Sequence, residues 1–83
     1  MKLEFSRHAK ERMQERKVSR REVELCIDGG SKRKVGQGRT RFRRVFPNKA
    51  TFRGRKIRNK RVELLAVRID GGWRVVTVLV NYF

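Results

Sequence analysis

Between Gly29 and Arg61 the chain carries 14 lysines and arginines and not one acidic residue. A run of this kind repels itself in any compact state, so its fold must space the cations apart or bring a polyanion to them. The flanks differ. Residues 1–28 hold eight basic and six acidic side chains, and residues 62–83 hold two of each. The net charge of +16 therefore belongs mostly to the middle third. Nucleic acid is the expected partner of such a segment. An anionic membrane surface is a weaker candidate, because no amphipathic helix with bulky apolar residues accompanies the charge. No stretch approaches the roughly 20 apolar residues of a membrane span, and the first residues lack an apolar signal core. One cysteine and one histidine leave no disulfide within the chain and no plausible zinc site. The expectation is a single soluble, cytoplasmic domain over residues 1–83, without metal or cofactor.

Periodicity then divides the chain. Phe5, Ala9 and Met13 recur every four residues, the apolar stripe of a helix over about 7–17, with Ser6 placed as its N-cap. Ser19-Arg20-Arg21-Glu22 has capping-box spacing, and Val23, Cys26 and Ile27 follow as an apolar face. Gly29-Gly30 would end this second helix, over about 20–28. Beyond Gly30 the period falls to two. In RTRFRRVF (39–46), Arg39, Arg41 and Arg43 point one way and Thr40, Phe42 and Phe46 the other, with Arg44 interrupting the apolar side. VELLAVRI (62–69) and WRVVTVLV (73–80) are apolar on both faces and rich in β-branched residues, as central strands are; Asp70-Gly71-Gly72 marks a turn between them. The segment 47–60 reads as a basic loop or an edge hairpin, and Leu3-Glu4-Phe5 offers a short strand before the first helix. The expected fold is α+β: two N-terminal helices packed on a three- or four-stranded antiparallel sheet.

On the first helix, His8, Arg12 and Arg16 form a second stripe about 100° from the buried one, where one wall of a cleft would lie. An imidazole beside two guanidinium groups is the minimum equipment for cleaving RNA without metal. His8 would accept the ribose 2′-hydroxyl proton, while Arg12 and Arg16 would stabilise the phosphorane-like transition state. The leaving 5′-oxygen needs a proton, for which the chain offers only a lysine, an arginine, Tyr82 or a bound water. DNA lacks the 2′-hydroxyl, so this chemistry selects RNA. The competing reading makes His8 a solvated helix residue or a plain phosphate contact. Thr77 breaks the apolar run of the last strand, with Trp73, Val75 and Leu79 on its side. It either satisfies itself through the backbone or, if its face meets the His8 stripe, orients substrate. Phosphate contacts are expected from Arg39, Arg41, Arg43, Arg53, Arg55, Lys56, Arg58 and Lys60, with Phe52 as a stacking platform and Phe42 and Phe46 in the core.

FSRHAKERMQERKVSRREVE and LLAVRIDGGWRVVTVLV, over roughly residues 4–30 and 64–80, resemble a family of small bacterial domains of unknown function. That family is marked by His-Ala-x-x-Arg-Met followed by a capped second helix. It is similar to the BrnT-like branch of the RelE/ParE toxin superfamily, whose wider grouping includes barnase-like and colicin-like ribonucleases. The resemblance implies a RelE-like fold, metal-independent RNA cleavage, in some settings at the ribosome, and an acidic antitoxin partner. Position by position it nominates His8, Arg12, Arg16 and Thr77. The basic segment 47–60 is longer than the family pattern, which keeps alive a second class of function: a nucleic-acid-binding protein that cleaves nothing. A third is an accessory protein whose basic arm binds an acidic protein.

Overall fold

The computed structural model describes all of residues 1–83 and runs β1 (Lys2–Phe5), α1 (Arg7–Arg16), α2 (Arg20–Gly29), β2 (Ser31–Gly36), β3 (Arg39–Phe52), β4 (Arg55–Ile69) and β5 (Gly72–Tyr82). The strands form one sheet in the order β1-β5-β4-β3-β2. This corrects the expected architecture. The sheet has five strands, and it is mixed, because β1 runs parallel to β5 while the other pairs are antiparallel. Strand accounts for 60% of the chain and helix for only 24%, so the sheet dominates and the two short helices are its cover.

The short strand expected at Leu3-Glu4-Phe5 is present as β1, but the signal for β2 was too quiet to yield that count. Strand β2, SKRKVG, has every residue exposed and no apolar alternation; only the hairpin turn through Gly36, Gln37 and Gly38 brings it against β3. Strand β1 pairs over four residues, and its parallel register sets the Lys2 backbone directly over Gly72. A Cβ at Gly72 would lie 1.7 Å from the Lys2 carbonyl oxygen, so only glycine permits the approach.

Of the two forms open to the segment 47–60, the structure shows a hairpin and not a loop. It is the distal half of the long central β3–β4 hairpin, paired from Pro47 opposite Asn59 to Phe52 opposite Arg55. Arg53 and Gly54 both take positive φ (51° and 77°), as a two-residue turn of the I′ type requires. Strand β2 pairs with β3 only as far as Arg43, so beyond that point β3 has an open outer edge. Pro47 therefore breaks no inter-strand pairing on that side, and the ladder bulges between it and Ala50. The result is a two-stranded basic arm projecting from the sheet, in a molecule 45 Å long and about half as wide.

The helices begin where the chain's capping residues stand. Ser6 accepts from the Ala9 N–H and donates to the Val76 carbonyl, so one hydroxyl starts α1 and ties it to β5 (both 3.0 Å). Ser19 and Glu22 complete the capping box of α2. Both helices cover the same sheet face, where Ala9, Val18, Val23 and Cys26 meet Phe42, Val62, Leu64, Ala66, Val75 and Val78 in a single core. Trp73 closes one end of it, edge-on to Phe42 with ring centroids 4.9 Å apart. Arg44, the residue that interrupts the apolar side of β3, reaches across to donate to the Leu25 carbonyl of α2 (3.1 Å) and lies over the Phe46 ring. Its stem is core and its charge caps a helix.

Cys26 is fully buried, and that burial pushes its thiol from the ordinary 9.0 up to about 11 despite the opposing pull of Arg44. The unfolded thiol ionises near 9.0 and the folded one two units later, so the contribution is whole below pH 9 and disappears as pH climbs toward 11. Unfolding free energies from urea titrations between pH 8 and 11 should therefore fall further for the native chain than for Cys26→Ala, by up to about 2 kcal/mol.

Candidate nucleic-acid interface

The alternation that buries one face of the sheet fixes the other. With Thr40, Phe42, Arg44, Val62, Leu64 and Ala66 turned toward the helices, the pleat turns Arg41, Arg43, Arg61, Glu63 and Leu65 the opposite way. Register sets Arg33 opposite Arg41 and Asn81 opposite Arg61, which extends this open face across β2 and β5. Glu63 lies among these cations, 3.7 Å from Arg41 and 3.4 Å from Arg43. Partial exposure makes both pairs weak, so their guanidinium groups remain available to an anion of higher charge density.

The Arg39–Arg41–Arg43 row thus lies where the alternation predicts, and Arg39 is exposed. Arg53, Arg55, Lys56, Arg58 and Phe52 are exposed along the arm. Lys60 is different. It is 8% exposed, and its ammonium group donates to the Lys17 carbonyl (2.8 Å) and pairs with Glu22 (3.0 Å). It belongs to the fold: one buried cation joins the end of α1, the cap of α2 and strand β4. Sequence reading grouped it with its basic neighbours, but an even-numbered β4 residue shares the inward face with Val62 and Leu64.

Arg12 and Arg16 reach the open face from the side, because α1 lies along the outer edge of β5. Together with Arg61, Glu63, Leu79 and Asn81 they line a crevice of about 320 Å³. Arg12 also lines a shallower recess of about 220 Å³ with His8, Glu11 and Glu15. Arg16 and Asn81 continue into a third recess, about 530 Å³, bounded by Phe52, Arg55, Lys56, Tyr82 and Phe83. Arg12 thus lines the first two depressions and Arg16 the first and the third. The helix stripe His8–Arg12–Arg16 does form one wall, but His8 is exposed at its far end and shares its recess with two glutamates, not with the basic segment.

Thr77 lines none of the recesses that His8, Arg12 or Arg16 line. A bulge decides which face Thr77 takes. Leu65 pairs with Thr77, but Ala66 pairs with Val75, so Val76 is an extra residue in β5. Across it the side-chain alternation slips by one. Trp73 and Val75 go to the core, whereas Thr77 stands opposite Leu65, whose strand phase is that of the open face.

The sequence missed two other features. A recess of about 660 Å³ at the arm's bulge is lined by Lys49, Thr51, Lys56 and Arg58 among others. Another, about 440 Å³, gathers Lys32, Lys34, Arg39 and Arg68 around Trp73. The Lys32 ammonium and the Arg68 guanidinium approach the Trp73 ring at 5.4 and 5.0 Å. No group of histidine, cysteine or carboxylate side chains is clustered to hold a metal ion, and no helix is long and apolar enough to cross a membrane.

What the fold and its surface define is a small, strongly basic, sheet-centred protein with one face and one arm given to cations. The chain belongs to the family described as Domain of unknown function (DUF4258), which matches residues 5–80. No curated protein and no solved structure matches it.

The buried Lys60 gives a direct test of which cations hold the fold. Lys60→Met strips Glu22 of its partner and should cost about 2 kcal/mol, lowering the melting temperature by roughly 10 °C. Lys56→Met, at an exposed position on the arm, should leave the melting temperature within about a degree or two. Differential scanning calorimetry of both variants decides the matter; equal shifts would contradict the assignment.

Proposed function

We propose that this protein binds nucleic acid, RNA in preference to DNA, by phosphate contacts on the open sheet face and along the β3–β4 arm. One observation carries the reading. The buried register leaves Arg33, Arg41, Arg43 and Arg61 on one uncovered face, with Arg12 and Arg16 at its rim. Rows of guanidinium groups spaced by a sheet's geometry suit a polyanion whose charges also repeat, and they would repel one another without it. Preference for RNA rests on the likeness of the SRHAKERM helix and the 64–80 hairpin to BrnT-like toxins, and with that kinship comes an acidic antitoxin as a further partner.

A second reading, a metal-independent endoribonuclease, is favoured by the way Arg12 lines both the His8 recess and the cationic crevice. A backbone held by Arg12 and Arg16 would pass the imidazole. His8 would take the 2′-hydroxyl proton, the 2′-oxygen would attack phosphorus, and the 5′-oxygen would leave with a proton from water. The products would be a 2′,3′-cyclic phosphate and a 5′-hydroxyl.

The two readings separate cleanly. Contact with about five phosphates predicts that log affinity falls by roughly 3.5 to 4.5 for each unit of log salt. A flat response in a filter-binding or anisotropy titration would remove phosphate binding as the main term. Under the second reading, RNA incubated with the protein in EDTA is cut, and His8→Ala abolishes cutting without changing the salt slope by more than one contact. Intact RNA with undiminished binding leaves the first reading alone.

A further inference from the structure

We propose that the recess between the β3–β4 arm and the end of β5 receives unpaired nucleobases, so that the protein prefers single strands to duplex. This rests on the nucleic-acid-binding reading above and names the form of substrate it takes. The chain has seven aromatic residues. Four of them, Phe5, Phe42, Phe46 and Trp73, belong to the core or pack against it. The other three, Phe52, Tyr82 and Phe83, are 60%, 45% and 53% exposed, and all three line this one recess. Every aromatic ring that the core does not use has been placed in the same depression.

The backbone holds them there. The Arg53-Gly54 turn sets Phe52 directly opposite Arg55. Phe83 extends β5 along the arm: its N–H donates to the Asn59 carbonyl at 3.0 Å, and its carbonyl accepts from the N–H groups of Asn59 (2.7 Å) and Arg58 (3.1 Å). The recess, about 530 Å³, falls within the roughly 300–1,000 Å³ of ordinary small-ligand sites. Arg16, Arg55 and Lys56 line it and no aspartate or glutamate does, so the ligand it suits is both flat and anionic. Guanidinium groups already lie near two of the rings, Arg53 at 5.4 Å from Phe52 and Arg61 at 5.8 Å from Phe83. Cations beside exposed rings are the arrangement that lets a strand stack its bases while its phosphates are neutralised.

Continuity with the neighbouring crevice adds direction. Arg16 and Asn81 are common to both, so a strand whose bases enter the aromatic recess would run on past Arg61 toward Arg12. A duplex cannot use this site, because its base faces are already stacked and paired. An acidic peptide carries the right charge but no array of flat rings.

The test compares an unstructured oligoribonucleotide, the same sequence as duplex, single-stranded DNA of that sequence and poly-glutamate. Each is titrated against the full chain and its Phe52→Ala and Phe52→Trp variants at one salt concentration. Phe52 is exposed at the arm's tip, so neither variant should disturb folding. Phe52→Ala should weaken single-strand binding roughly 10-fold and leave duplex binding unchanged, and Phe52→Trp should restore it. A 2-aminopurine placed in the oligoribonucleotide should be quenched by the native chain and much less by Phe52→Ala. Single-stranded DNA with the same dependence on Phe52 would support base stacking as the source. Equal affinity for strand and duplex, equal losses in both, or a Phe52-dependent grip on poly-glutamate would overturn the proposal while leaving phosphate binding in place. Failure of every nucleic acid to bind would instead remove the function on which it rests.

Discussion

Strand β4 cannot slip by one residue, and the character of both faces of the protein depends on that. Val62, Leu64 and Ala66 are fully buried beneath the helices, with Lys60 locked into its ion pair on the same side. A one-residue shift would drive Arg61, Glu63 and Leu65 into the core and expose the apolar row. Burying an unpaired guanidinium is far costlier than losing a few apolar contacts, so the register is held from both directions. Because β4 is the central strand, its phase is passed to β3 on one side and β5 on the other. The cationic face is therefore not an independent feature laid over the fold. It is what remains when the core is satisfied.

The same constraint explains how so much charge is tolerated. Lys60 and Arg44, two cations whose strand positions face inward over the core, each donate to helix carbonyls, and Lys60 also pairs with Glu22. Glu63, the acid between Arg41 and Arg43, lowers repulsion where the strands come closest. Elsewhere the strands hold like charges apart, and the arm carries several of them away from the body of the molecule. Salt or a bound polyanion would relieve what repulsion remains, so the free protein should be most strained at low ionic strength.

Much of this was legible in the sequence, and the limits are physical. Ser6 and the Ser19–Glu22 box begin helices where their chemistry predicts, and the two apolar runs at 62–69 and 73–80 are strands. The Arg39–Arg41–Arg43 row was readable because alternation is local. Strand β2 was not, since its place is set by a turn and a partner and not by its own composition. Lys60 was misassigned because charge was read along the chain while burial is decided across it. The Val76 bulge escaped for a related reason: one extra residue inverts every side chain beyond it, and nothing in WRVVTVLV announces which residue is extra. That bulge turns Thr77 away from Trp73 and Val75 and onto the phase of the open face, a change of side that spacing alone does not reveal.

Arg12 and Arg16 are where binding and chemistry meet or part. Both stand on a helix pinned to the edge of β5 by the Ser6 hydroxyl, so their reach toward the open face is set by backbone geometry. A strand lying across Arg61 and Arg16 has two directions open to it. Toward the arm it meets rings and further cations; toward the N-terminal end of α1 it meets His8 with Glu11 and Glu15 beside it. Glu11 pairs with Arg7 at 3.3 Å and Glu15 with Arg12 at 3.6 Å, so the cations around the imidazole are partly neutralised and the anion-attracting field is weaker there. A strand held chiefly by charge would therefore settle on the aromatic side of Arg12. Cleavage at His8 would require contacts strong enough to draw Arg12 away from Glu15, and that local balance of charge is why binding, not cleavage, is the reading proposed first.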